Sequence, residues 1–225
     1  YKKKQKIINR NVIFEKIIFY GIKVFFRWEP SCRRPAMSQH TADGEQGTLY
    51  VRELGKCFHG HWIFRHVNQE FHDAEPYLLD TPSGSGKTTF FRCLCGLERP
   101  EEGEVSGIDT FSVQFQEDRL CEDYSAVKNL EMILGDAVQA RTTLRQLLQE
   151  DSLDRPCREL SGGMKRRVSL VRAMEAGAQC VLLDEPFTGL DEENRKCAKE
   201  YIRRRAEGRI VMIATHIRPD GFHGV

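Results

Sequence analysis

None of the eight cysteines in this 225-residue chain forms a C-x-x-C pair; they are scattered from Cys32 to Cys197. That scatter excludes a zinc ribbon or a dithiol redox centre and leaves reduced thiols as the expectation. His59, His61 and His66 lie close together, but no cysteine or carboxylate pattern completes a metal site around them. They read as surface or loop residues. Long uncharged runs are also missing where they are most wanted. Residues 11–28 are rich in Ile, Phe and Val, yet their longest uncharged stretch, 17–22, falls far short of the roughly 20 residues that cross a bilayer. There is no internal repeat and no low-complexity tract. The net charge is only +1, and it is unevenly spread: residues 1–36 hold ten basic and two acidic side chains, residues 37–225 hold 24 basic and 31 acidic. An acidic main body argues against broad nucleic-acid binding, and no nucleic-acid partner is expected.

What the chain does have is the stretch Thr81-Pro-Ser-Gly-Ser-Gly-Lys-Thr-Thr89, set between a short apolar run and a helical segment. A glycine-rich turn between strand and helix gathers backbone N–H groups at the positive end of the helix, which makes a seat for phosphate. Gly84 and Gly86 let the main chain approach the phosphates, Lys87 reaches the β- and γ-phosphates, and the Thr88 hydroxyl sits on Mg²⁺. Ser83, Ser85 and Thr89 complete the loop. The motif expects glycine first, whereas this chain has Thr81, which Pro82 pushes towards an extended conformation.

The rest of the chain alternates strands with helices, the pattern of an α/β fold with a parallel-sheet core. Residues 48–54 and 62–71 read as strands joined through 55–61, residues 90–97 as a helix, 99–103 as a turn and 107–116 as a strand-like run. Leu130, Ile133, Leu134, Leu144 and Leu148 suggest two or more helices within 125–149. Residues 160–173 read as a loop and a basic-faced helix, 181–183 and 210–214 as buried strands, and 192–207 as the helix between them. Tyr1 is not an initiator, and Met37 is the expected start. Residues 1–47 are then an extension outside the fold, although 11–28 also suit a basic amphipathic helix carrying Lys16, Lys23 and Arg27.

Asp184-Glu185 closes the apolar run Cys180-Val-Leu-Leu, at the strand end that faces the ligand crevice in a parallel sheet. Asp184 suits Mg²⁺, a hard ion that prefers oxygen ligands, and Glu185 suits polarisation of an attacking water. In Leu160-Ser-Gly-Gly-Met164, Ser161, Gly162 and Gly163 open a helix and form a second anion seat. Two seats for one nucleotide make sense when two subunits meet head to tail, each lending this seat to the other's ATP. Here the sequence resembles an ATP-binding cassette (ABC) ATPase, whose signature loop, Leu-Ser-Gly-Gly-Gln, appears with Met164 in the last place.

The resemblance implies further roles. Gln116 resembles the glutamine that touches Mg²⁺ and senses the membrane partner. Asp191, in Thr188-Gly-Leu-Asp, resembles the aspartate that communicates across the dimer, and His216 the switch histidine on the γ-phosphate. Phe58 or His59 is the ring stacking on adenine. The implied fold is a P-loop NTPase of the ABC type over residues 48–225, with an antiparallel β subdomain and a helical subdomain over about 117–165. The resemblance covers roughly residues 48–216 and stops abruptly there: the chain runs on to Val225 without the usual acidic residue beside His216, as though truncated or frame-shifted. Gln116-Glu-Asp-Arg-Leu120 and the signature stretch resemble the nitrate, sulfonate and taurine importer group, which implies an ATP-hydrolysing homodimer beneath separate permease subunits. Such a subunit is cytoplasmic and peripheral on the inner face of the membrane. Two alternatives stay open: a soluble cassette ATPase associated with DNA or ribosomes, and a degenerate nucleotide binder without hydrolysis.

Overall fold

The five-residue runs Cys180–Asp184 and Ile210–Ala214 are buried at every position, as expected of strands covered on both faces of a parallel sheet. The computed structural model describes residues 24–25, 47–73, 76–82, 84–216 and 223–224. In chain order the strands are β1 (Val24–Phe25), β2 (Leu49–Phe58), β3 (His61–Phe71), β4 (Tyr77–Leu79), β5 (Glu102–Ser106), β6 (Thr110–Gln114), β7 (Cys180–Asp184), β8 (Ile210–Ala214) and β9 (His223–Gly224). The helices are α1 (Lys87–Leu94), α2 (Ala126–Leu134), α3 (Ala137–Leu144), α4 (Gly162–Glu175) and α5 (Glu192–Arg205). One sheet runs β1-β6-β7-β8-β4-β9, with β6, β7, β8 and β4 parallel. β1 pairs antiparallel with Phe111 and Thr110, and β9 lies parallel to β4. The amphipathic reading of 11–28 falls, apart from the β1 backbone, outside the described residues, as does Ser83.

Alternation along the strands divides the core. Val181, Leu183, Val211 and Ile213 join one cluster with Leu130, Leu144, Leu170 and Tyr201. Cys180, Leu182, Ile210 and Met212 point the other way, to Leu49, Phe91 and Phe111. A strand's period of two thus packs the helical insert on one face of the sheet, and α1 with the small β-sheet on the other. The insert is capped as its sequence dictates. Ser125 accepts from Lys128 N at 3.2 Å to start α2, Gly135 ends it at φ 75°, and Asp136 accepts from Val138 N at 2.7 Å to start α3.

The second sheet, β3-β2-β5, is antiparallel, and three expectations change there. β2 runs on through Gly55 to Phe58, so the connection to β3 shrinks to His59 and Gly60, at φ 51° and 82°. Two successive positive-φ residues make the tight turn whose twist matches a hairpin. His61 and His66 accordingly lie on an exposed strand. The expected turn at 99–103 ends inside β5, because Glu102 and Glu104 pair with Gly55 and Arg52 of β2. α1 begins at Lys87, earlier than expected, and stops at Leu94, before Gly96 at φ 72°.

Candidate active site

β4 delivers the chain to the glycine-rich loop, and α1 leaves it, so the loop lies at the carboxyl edge of the parallel sheet. Gly84 sits at φ 80° with open space where a Cβ would be. Gly86 sits at φ 94°, and its Cβ would fall 2.3 Å from Cγ2 of Ile63 on β3, so only glycine fits beneath the hairpin. The Lys87 ammonium folds back over the loop, donating to the Thr81 carbonyl at 2.6 Å and the Pro82 carbonyl at 3.1 Å. Thr81 is not among the positive-φ residues, so the backbone there needs no glycine. Its hydroxyl meets the Ser85 hydroxyl at 2.7 Å. Thr81→Gly therefore removes one surface hydrogen bond and loosens the unfolded chain, at a cost of about 0.5–1 kcal/mol. Calorimetry should find a Tm lower by about 1–4 °C and ATP affinity within roughly threefold of the parent.

Thr88, on the first turn of α1, donates to Asp184 Oδ2 at 2.5 Å. Thr89 follows it, half-buried. Asp184 ends β7 and is only 3% exposed; burial pushes its carboxyl above the ordinary value, and the Thr88 bond partly opposes this. The hydroxyl and carboxylate together offer hard oxygen donors beside a phosphate seat, a set that fits Mg²⁺. A folded-state pKa raised in this way means that folding stability is lost as pH rises through it, so the ionised group is a standing cost at neutral pH. Without divalent metal, Asp184→Asn should raise Tm by about 2–4 °C, corresponding to on the order of 1 kcal/mol. Thermal unfolding in EDTA and in Mg²⁺ tests this. A lower Tm in EDTA counts against the cost.

Glu185 follows at φ 54°, its N–H bonded to Ala214 O at 2.8 Å on β8. Its carboxylate accepts from Thr215 Oγ1 at 3.1 Å, His216 N at 3.1 Å and Thr188 Oγ1 at 3.4 Å, and meets His216 Nδ1 at 2.9 Å. The ends of β7 and β8 thus bring Glu185 and His216 together. Thr188 and Thr215 were not singled out from sequence, although both stand inside the motifs that carry Asp191 and His216.

Ser161 caps α4 by accepting from Met164 N at 3.3 Å, and a Cβ on Gly162 would meet open space. A Cβ on Gly163 would lie 2.9 Å from Gly189 O, so glycine there permits close packing on the turn before α5. Asp191 caps α5, accepting from Asn194 N and Nδ2 at 2.8 Å each. Arg167 bonds Asn194 Oδ1 at 2.6 Å and Gly163 O at 3.2 Å. Residues 161–163 are therefore packed with the turn at 189–191, and none of these contacts involves Lys87 or Thr88. Gln116 lies just past β6, exposed, and among the described residues its side chain makes no hydrogen bond to Thr88 or Asp184. The expected basic face of α4 is partly inside: Arg166 and Arg172 are 8% and 4% exposed, because both bond main-chain carbonyls. Phe58 is 40% exposed at the hairpin end, with Lys56 Nζ 4.7 Å from its ring centre, and His59 occupies the turn.

Residues 64–188 match the ABC transporter family. The sulfate/thiosulfate import ATP-binding protein CysA of Nephroselmis olivacea is 33% identical over 175 residues, covering 69% of this chain and 51% of that protein. The aliphatic sulfonates import ATP-binding protein SsuB 3 of Paraburkholderia xenovorans is 32% identical over 190 residues, covering 81% of this chain and 76% of that one. The chain thus spans about half the length of the first relative and three quarters of the second. A similar fold occurs in an ATP-binding cassette solved as a dimer in a post-hydrolysis state with ADP and Pi, at TM-score 0.68 and 24% identity over 75% of this chain and 88% of that one. With a family match over more than half of its length and relatives above 30% identity over more than two thirds of it, the chain belongs to the ABC transporter family.

Proposed function

We propose that this chain is the ATP-binding and ATP-hydrolysing subunit of an importer, working as a head-to-tail pair beneath a separate permease. The unit extends over residues 48–225, with the helical part over about 117–165. The observation that carries the reading is that two candidate anion seats share no hydrogen bond. Lys87 and Thr88 belong to one; Ser161 and Gly163, built with the Gly189–Asp191 turn, belong to the other. One chain's nucleotide uses the first, and a second copy supplies the other.

Lys87 exchanges the Thr81 and Pro82 carbonyls for phosphate oxygens, and the N–H groups of residues 84–87 close round them. Thr88, Asp184 and Gln116 hold Mg²⁺, which, when bound, neutralises charge on the phosphates. Phe58 stacks on the adenine ring. Glu185, held by the donors at the ends of β7 and β8, takes a proton from the attacking water. His216 turns from Glu185 to the phosphoryl oxygens, which frees a carboxylate oxygen for that proton. Asp191 keeps Ser161, Gly162 and Gly163 in register with the partner through Asn194 and Arg167.

The sulfonate import protein named above supports uptake of a solute in the nitrate, sulfonate and taurine range. No helix among the described residues is long and apolar enough to cross a membrane. The proposed permease is a separate chain, with this subunit on the cytoplasmic face of the membrane. Because each site needs two copies, the ATPase rate per chain should rise with chain concentration in the low-micromolar range. A rate per chain independent of concentration, with a monomer at every point, contradicts the paired mechanism.

A further inference from the structure

Beyond Gln114 the main chain leaves β6 and runs along α4. Arg166, one turn into that helix, donates to Phe115 O at 2.9 Å and to Gln116 O at 2.5 Å. Its Nε lies 3.3 Å from Asp118 Oδ1, and its own carbonyl accepts from Gln114 Nε2 at 3.1 Å. Less than two turns on, Arg172 donates to Arg119 O at 2.7 Å. The carbonyls of Phe115 and Gln116 lie past the end of β6, and one guanidinium satisfies both. Only a planar fork of several donors does this; an ammonium makes a point contact.

We propose that Arg166 is the positioning residue for Gln116, fixing its main chain to the helix that begins at Ser161 and so aiming its exposed side chain at the metal end of the site. This rests on the metal role given above to Gln116. Ser161 is five residues before Arg166, about 7.5 Å along the helix axis.

The test is equilibrium binding of ATP to the full chain carrying Glu185→Gln, measured in Mg²⁺ and in EDTA. Gln116→Ala should weaken binding in Mg²⁺ by about tenfold, the low end of what loss of a metal ligand's supporting partner costs, and leave binding in EDTA unchanged. Arg166→Met should do the same, adding nothing once Gln116 is alanine, and Arg166→Lys should recover part of the loss. The inference is overturned if Arg166→Met matches the parent in Mg²⁺, if its effect adds to that of Gln116→Ala, or if it weakens binding equally in EDTA. If neither Gln116→Ala nor Arg166→Met alters the Mg²⁺ dependence, the metal role of Gln116 falls together with that of Arg166, while the ATPase reading stands. Failure of the parent to bind ATP in either condition rejects the nucleotide reading, and the inference with it.

Discussion

Glu185→Gln slows ATP hydrolysis by roughly 10²–10⁴-fold, the range that a positioned general base contributes, and leaves ATP affinity within about threefold of the parent. The carboxylate is aimed by its backbone: Glu185 is the residue after β7, at φ 54°, with its N–H tied to Ala214 O. Four groups on Thr188, Thr215 and His216 hold its two oxygens. Glutamine keeps the shape: its oxygen can accept from the His216 N–H, and its amide nitrogen, in place of the second oxygen, can donate to the Thr215 hydroxyl, so the local fold survives. What it lacks is a basic oxygen to take the water proton. Steady-state phosphate release and nucleotide titration read the two quantities separately. A variant that hydrolyses ATP at an unchanged rate removes Glu185 from the chemistry.

Lys87→Ala weakens ATP binding by on the order of 100-fold, equivalent to about 2.7 kcal/mol. The ammonium is the only cation among the loop residues 81–89, and charge-assisted hydrogen bonds to phosphate are about twice as strong as neutral ones. Its partners within the protein are the carbonyls of Thr81 and Pro82, both exposed residues, which water satisfies once the lysine is gone. Stability should therefore change little, with Tm within about 2 °C of the parent. Affinity and Tm measured on one preparation decide the matter. Loss of both together would make Lys87 a structural clasp for the loop instead of a phosphate ligand.

Much of the site was legible in the sequence because it rests on local rules. Apolar runs at 181–183 and 210–214 marked β7 and β8, the acids 184 and 185 marked the sheet's ligand edge, and the glycines of the loop marked the turn before α1. The small sheet was harder to read. Gly55 looks like a turn residue, yet it lies inside β2, where a Cβ would meet the Trp62 ring at 3.0 Å; the glycine serves a close side-chain approach. β5, Glu-Gly-Glu-Val-Ser, has no strand pattern of its own and exists through its pairing with β2. The arginines of α4 misled in the opposite sense. A basic face reads as solvated, but Arg166 and Arg172 turn inward because the carbonyls of 115–119 lie far from α4 in sequence and beside it in space.

The measurement that tests the paired-seat account most directly is the mass in solution of the full chain carrying Glu185→Gln, with and without Mg²⁺ and ATP. Blocking hydrolysis should trap the closed pair, so the account predicts a monomer that doubles its mass only when both Mg²⁺ and ATP are present. A folded chain that binds Mg²⁺ and ATP yet stays monomeric at all concentrations would contradict it, because the Ser161 seat would then have no nucleotide to serve.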